Sequence, residues 1–95
     1  RYLGQHDQVI AVYTKAIQLD PTFFQAYHNR GLAYSHQEDF EKAIADFTKA
    51  IELVPTYATA YYNRGVAHRK LGNDVKADAD FAKAKELGYK PPEEE

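Results

Sequence analysis

Cysteine is absent from this 95-residue chain. That excludes a disulfide framework and any cysteine-based metal site, and it suits a reducing compartment, so a cytoplasmic setting is the expectation. A basic excess is also missing. Twelve Lys and Arg stand against 14 Asp and Glu, for a net charge of −2, so the electrostatic footprint of a nucleic-acid or anionic-membrane binder is not there. No apolar run approaches the ~18 residues that mark a membrane-spanning helix. The opening stretch Arg1 to Asp7 does not read as a secretory leader. There is no glycine-rich phosphate loop, and no nucleophile, base and orienting group recur in a catalytic arrangement. An enzyme is therefore not expected, nor a cofactor. The four histidines His6, His28, His36 and His68 include no His-x3-His pair, and His28 and His36 are two turns apart on one helix, too far to share an ion. No metal site is expected.

What the chain does contain is a repeat. Tyr27-His28-Asn29-Arg30-Gly31 returns 34 residues later as Tyr61-Tyr62-Asn63-Arg64-Gly65, and a fixed period of this size signals stacked units. Nearly half the pairs from Thr22/Thr56 to Val54/Gly88 are identical. The match extends upstream through Ile10/Ile44, Thr14/Thr48, Ala16/Ala50, Ile17/Ile51 and Pro21/Pro55. One half repeat (1–21) and two full ones (22–55 and 56–89) follow, with an acidic, proline-containing tail at 90–95.

Apolar residues at helical spacing predict five helices, over about 6–19, 23–36, 39–53, 57–71 and 73–87. Arg1 to Gly4 read as the tail of an earlier helix, with Gly4 ending it in the left-handed conformation. Asp20-Pro21 and Val54-Pro55 are stops, because proline disfavours helical geometry in the residue before it. Thr22, with Gln25 completing a capping box, Thr56, Asp39 and Asn73 are the expected caps. The last helix is the most polar, with Asp74, Asp78 and Lys85 where Phe40, Ile44 and Ile51 stood, and so reads as a solvent-facing end.

These residues make the chain similar to the tetratricopeptide repeat family. The family's aromatic, large, glycine and aromatic positions fall on Tyr27, Arg30, Gly31 and Tyr34, its alanine–aromatic pair on Ala43 and Phe47, and its closing proline on Pro55. The second copy gives Tyr61, Arg64, Gly65, His68, Ala77 and Phe81. The half copy gives Val9, Tyr13 and Pro21. Tyr89 departs from the last proline. The resemblance implies an all-α, right-handed superhelical stack of antiparallel helix hairpins. Small residues sit where helices approach closely and Tyr27, Phe47, Tyr61 and Phe81 fill the gaps. Arg30 and Arg64 are each expected to pair with the aspartate 16 residues on, Asp46 and Asp80, for at most about 1 kcal/mol if the pair is exposed.

The resemblance further implies a protein or peptide partner, held as an extended segment in a concave groove. The groove would present Gln25, His28, Asn29, Leu32 and His36 from one hairpin, and Thr59, Tyr62, Asn63, Val66, Arg69 and Lys70 from the next. Asn29 and Asn63 would hold peptide backbone, Tyr62 would form an apolar wall, and Arg69 and Lys70 would attract acidic groups. The family's carboxylate-gripping cluster is not expected, because Thr59 and Asn63 stand where basic residues would be needed. The alternative is self-assembly. An unpaired first helix would expose Val9, Ile10, Tyr13 and Ile17, which a second copy could cover as a homo-oligomer. Glu93, Glu94 and Glu95 entering a neighbour's groove is a weaker form of the same idea.

Overall fold

The computed structural model describes residues 4–90. Arg1 to Leu3 and the glutamates of the tail lie outside the described residues. Within them run five helices and no strand: α1 (Gln5–Leu19), α2 (Phe24–His36), α3 (Phe40–Leu53), α4 (Ala58–Lys70) and α5 (Asp74–Glu86). Each packs against its chain neighbours, and α2 also touches α4. The result is a row of antiparallel hairpins, α2–α3 and α4–α5, with α1 laid against α2.

Helix ends follow two chemistries. α2, α4 and α5 close in the same way: the N–H of Asp39, Asn73 and Tyr89 returns to the carbonyl of Tyr34, His68 and Ala84, each at 2.9 Å. This bond needs a left-handed residue just before it. Gly72 (φ 84°) and Gly88 (φ 97°) supply it, and in the first hairpin Glu38 does (φ 64°). By contrast α1 and α3 run out into extended residues, Asp20 and Val54, ahead of proline.

The starts depart from several expectations. Gly4 is extended (φ −69°, ψ 163°) and precedes α1 as its N-cap, rather than terminating an earlier helix. Thr22 does not cap α2. Its N–H and hydroxyl both donate to the Asp20 carboxylate, at 3.1 and 2.7 Å, and helix α2 starts later with Phe23 as its N-cap. These two bonds hold the Asp20 carboxyl below its ordinary range. Thr56 likewise gives way to Tyr57, and neither aromatic supplies a side-chain cap. The tyrosines one turn on secure these corners instead: Tyr27 and Tyr61 donate to the carbonyls of Pro21 and Pro55. Asp39 does cap α3, accepting from the Lys42 N–H. Asn73 holds the N-cap position of α5 without a side-chain bond.

The core is built largely of alanine. Ala26, Ala33, Ala43, Ala50, Ala60, Ala67, Ala77 and Ala84 are buried, and Phe47 is the largest fully buried side chain. The helices of each hairpin approach most closely at Gly31 and Gly65. A Cβ at Gly31 would lie 2.7 Å from the Phe47 ring, and one at Gly65 would lie 2.8 Å from Phe81. Between the hairpins, Ala50, Ile51 and Ala60 pack with Phe24, Tyr27, Tyr57 and Tyr61. In α5, Asp74, Asp78 and Lys85 are exposed, as the polar substitutions anticipated.

Arg30 forms a two-pronged pair with Asp46, Nε and Nη2 each 2.8 Å from a carboxylate oxygen, and its Nη1 donates to Thr14. Arg64 repeats this with Asp80 and Thr48. Each arginine thereby ties together three consecutive helices. Asp46 and Asp80 are only 5% and 6% exposed, so the modest ceiling for surface pairs does not apply.

Two outcomes follow from this geometry. A double-mutant cycle on Arg64→Leu and Asp80→Asn, read by urea denaturation, is expected to give a coupling of about 1.5–3 kcal/mol, the range for charge-assisted bonds; a value near zero would show the pair to be ornamental. Glu38→Gly is expected to raise stability by up to about 1 kcal/mol, since it relieves a left-handed strain that Gly72 avoids in the next hairpin. A lower melting temperature for Glu38→Gly would contradict that account.

Candidate functional site

The first helices of the two hairpins, α2 and α4, lie side by side and carry the residues expected to line a groove. On α2, Asn29, Leu32 and His36 do share a cleft, of about 310 Å³, closed on its other side by α1 through His6, Val9 and Tyr13. The Asn29 amide donates to the Tyr13 hydroxyl across this cleft at 3.3 Å. His6 and His36 stack at its mouth, ring centroids 4.9 Å apart. Gln25 is exposed one turn before Asn29. Val9 and Tyr13, expected on a self-association face, therefore belong in part to the same cleft as Asn29. His6 was not among the expected residues, because its place depends on how α1 leans on α2, which no local spacing encodes.

His28 is withdrawn from the groove. It is 6% exposed and sits among Phe47, Tyr57 and Asn63. The Asn63 amide donates to its Nε2 at 2.9 Å. Nε2 is then an acceptor, so the ring proton sits on Nδ1 and goes to the Tyr57 oxygen, 3.1 Å away. Burial pushes the His28 pKa down, because the charged imidazolium would lose its hydration. Burial also raises the Tyr57 phenol. His28 thus serves as a neutral link between hairpins.

Tyr62 holds the His28 position in the next hairpin and is also covered. Its ring stacks on Tyr89 at 4.6 Å and lies 5.3 Å from Phe81. Tyr89 so takes over Tyr62 the place that Tyr57 takes over His28, and burial raises its phenol pKa. Thr59, Asn63 and Val66 remain half-buried along α4. Arg69 is exposed near the end of α4 and forms surface pairs with Asp78 and, at 3.5 Å, with Asp74, its guanidinium over the Phe81 ring. Exposed pairs of this kind are weak, so an acidic partner would compete with Asp74 and Asp78 for it. Lys70 is exposed at the end of α4.

Val9, Ile10, Tyr13 and Ile17 were expected to be laid bare on α1. All four are half-buried. The large apolar residues that stand exposed on α1 are Val12, at 65%, and Leu19, at 76%. Among the described residues, no cluster of three or more His, Asp or Glu side chains could hold a metal ion. No described helix is long and apolar enough to cross a membrane.

Models of the tetratricopeptide repeat match residues 24–57 and 47–79, and a TPR repeat model matches residues 1–37. A search of curated proteins returned no match. Among solved structures, the second TPR of Spaghetti (RPAP3), bound to the HSP90 peptide SRMEEVD, is 33% identical with a TM-score of 0.86, over 88% of this chain and 78% of that one. The Arabidopsis OM64 TPR domain is 33% identical with a TM-score of 0.86, over 88% and 69%. MamA is 32% identical with a TM-score of 0.80, over 82% of this chain. This chain spans 46% of the MamA chain, less than half its length.

The buried histidines set a pH dependence. His68 resembles His28: burial lowers its pKa, Arg64 and Lys76 push the same way, and the Asp80 carboxylate opposes them. Its Nδ1 is buried without a partner, and its Nε2 is 3.9 Å from Asp80. With both pKa values lower in the folded state, the unfolded chain binds more protons below its ordinary value of 6.5. Stability is full above that value and is lost as pH falls from it toward the depressed folded values. The melting temperature is expected to drop between about pH 7 and about pH 5, and His28→Gln should flatten the drop. A profile unchanged by His28→Gln would remove His28 as its source.

Proposed function

We propose, from the premise that this chain belongs to the tetratricopeptide repeat family, that it is a non-enzymatic protein-interaction module that holds an extended peptide along α2 and α4. The observation that carries this reading is the pair Asn29 and Asn63. They occupy the same repeat position on adjacent helices, half-buried. One amide N–H of each is used internally, to Tyr13 and to His28. The carbonyl oxygen and second N–H of each make no bond among the described residues, and together they match the acceptor and donor of a peptide unit. Leu32 beside Asn29 and Val66 beside Asn63 offer apolar footing for alternate side chains of an extended segment.

RPAP3 binds an acidic peptide, and this chain's groove is chemically different. Thr59 and Asn63 are uncharged, His28 is buried and neutral, and the exposed Arg69 is shared with Asp74 and Asp78. The segment that fits is one recognised by its backbone and apolar side chains, with at most a supporting acid near Arg69 and Lys70.

Peptides selected against the chain from a random displayed library provide the test. Asn29→Ala with Asn63→Ala is expected to weaken a selected peptide at least about tenfold, equivalent to ~1.4 kcal/mol, with the helical circular dichroism at room temperature retained. Unchanged affinity would take the groove out of the binding site. SRMEEVD is expected to bind much more weakly than the selected peptides. Equal affinity would mean that a carboxylate grip operates without the usual cations.

A further inference from the structure

The sequence puts no two histidines one turn apart on a single helix, but the fold makes the equivalent pair from two helices. His6 lies at the start of α1 and His36 at the end of α2. Both side chains are exposed, and their ring centroids are 4.9 Å apart. Beside them the Gln37 amide donates to the Asp7 carboxylate, which ties the same two helix ends together. Each imidazole is thus one residue from a side chain that holds its backbone in place against the other's. No described residue hydrogen-bonds a ring nitrogen of either, whereas both nitrogens of His28 are engaged and Nδ1 of His68 is buried. Packing does not call for imidazoles at this corner. At the same repeat positions, 34 residues on, the chain carries Phe40 and Lys70.

The spacing has a chemical use. Two imidazoles on one ion, with bonds of about 2.0–2.1 Å and an angle between them of about 90–110°, have ring centres about 4.5–5.3 Å apart. The observed 4.9 Å falls inside that interval. The rings lie within 9° of parallel, so one must turn about χ2 to aim its nitrogen at a shared ion. That torsion is broad in histidine, and both side chains are exposed enough to turn without moving backbone. We propose that His6 and His36 form a site for one divalent transition ion of the zinc, nickel or copper class, which imidazole suits, with water in the remaining positions. Two protein ligands make this an open site, unlike the closed four-ligand sites that hold a fold together. An ion bound there joins α1 to α2 at the mouth of the Asn29 cleft. The site uses neither Asn29 nor Asn63 and does not rest on the peptide reading.

Zinc chloride titrated into the full chain at neutral pH and followed by calorimetry is expected to show one ion per chain, with nickel competing for the same site. Magnesium, which prefers oxygen ligands, should not bind. His6→Ala and His36→Ala, both at exposed positions, are each expected to weaken zinc at least about tenfold, because the second imidazole acts as a tethered ligand. The double variant should lose little more than either single one, the non-additivity of two groups that act together. In NMR spectra of the imidazoles, zinc should move the signals of His6 and His36 and leave those of His28 and His68 in place. No binding up to about 1 mM, full affinity in either single variant, or a response centred on His28 or His68 would overturn the proposal. So would half an ion per chain with a dimer in light scattering, since the ion would then bridge two copies.

Discussion

Phe47 lies so close to the backbone of Gly31 that one added methyl group would sit 2.7 Å from its ring. That contact, repeated between Phe81 and Gly65, sets the spacing of each hairpin. Because the partner is a ring edge on bare backbone, the hairpin helices approach more closely than side chains would allow. Alanine is then the largest residue that fits at most neighbouring buried positions, which is why the core contains eight alanines and few large aliphatic side chains. Interiors at crystal-like density have little room to absorb a substitution here.

The close approach also brings together the groups of the arginine network. Arg30 precedes Gly31, and Asp46 precedes Phe47. When the ring meets the glycine, the guanidinium meets the carboxylate. Its remaining nitrogen reaches back to Thr14 on α1. One side chain thus joins a hairpin to the helix before it, and Arg64 does the same through Thr48. Packing inside a hairpin and registration between hairpins are consequences of one geometry. The second link between hairpins is the neutral His28, held by Tyr57 and Asn63 from the next hairpin.

Much of this was legible in the sequence because it is periodic. The 34-residue offset located five helices with ends within a residue or two of those observed, and the equivalence of Arg30/Asp46 with Arg64/Asp80 disclosed the ion pairs. The site was less legible, because exposure depends on what the neighbouring element contributes. His28 lies on the same helix as Asn29, and nothing in its own stretch says that Tyr57 and Asn63 will bury it. Arg69 reads as a free cation until α5 brings up Asp74 and Asp78. Thr22 reads as a cap, but the preceding Asp20 competes for its hydroxyl and N–H. Tyr89 reads as a lost proline, whereas its ring covers Tyr62. In each case a local preference yields to a partner from another segment.

Among the described residues, helix α1 buries no residue fully and packs against α2 alone, while α2, α3 and α4 each have neighbours on two sides. In a linear array whose stability is a sum of unit terms and nearest-neighbour couplings, a helix with one described neighbour has the smallest coupling within residues 4–90. At the other end, α5 is poor in apolar residues, yet the Tyr89 ring behind it acts as a substitute neighbour for Tyr62. Within residues 4–90, the cleft that contains Asn29 is therefore walled by the more lightly held helix, and the surface that contains Asn63 by more firmly held ones.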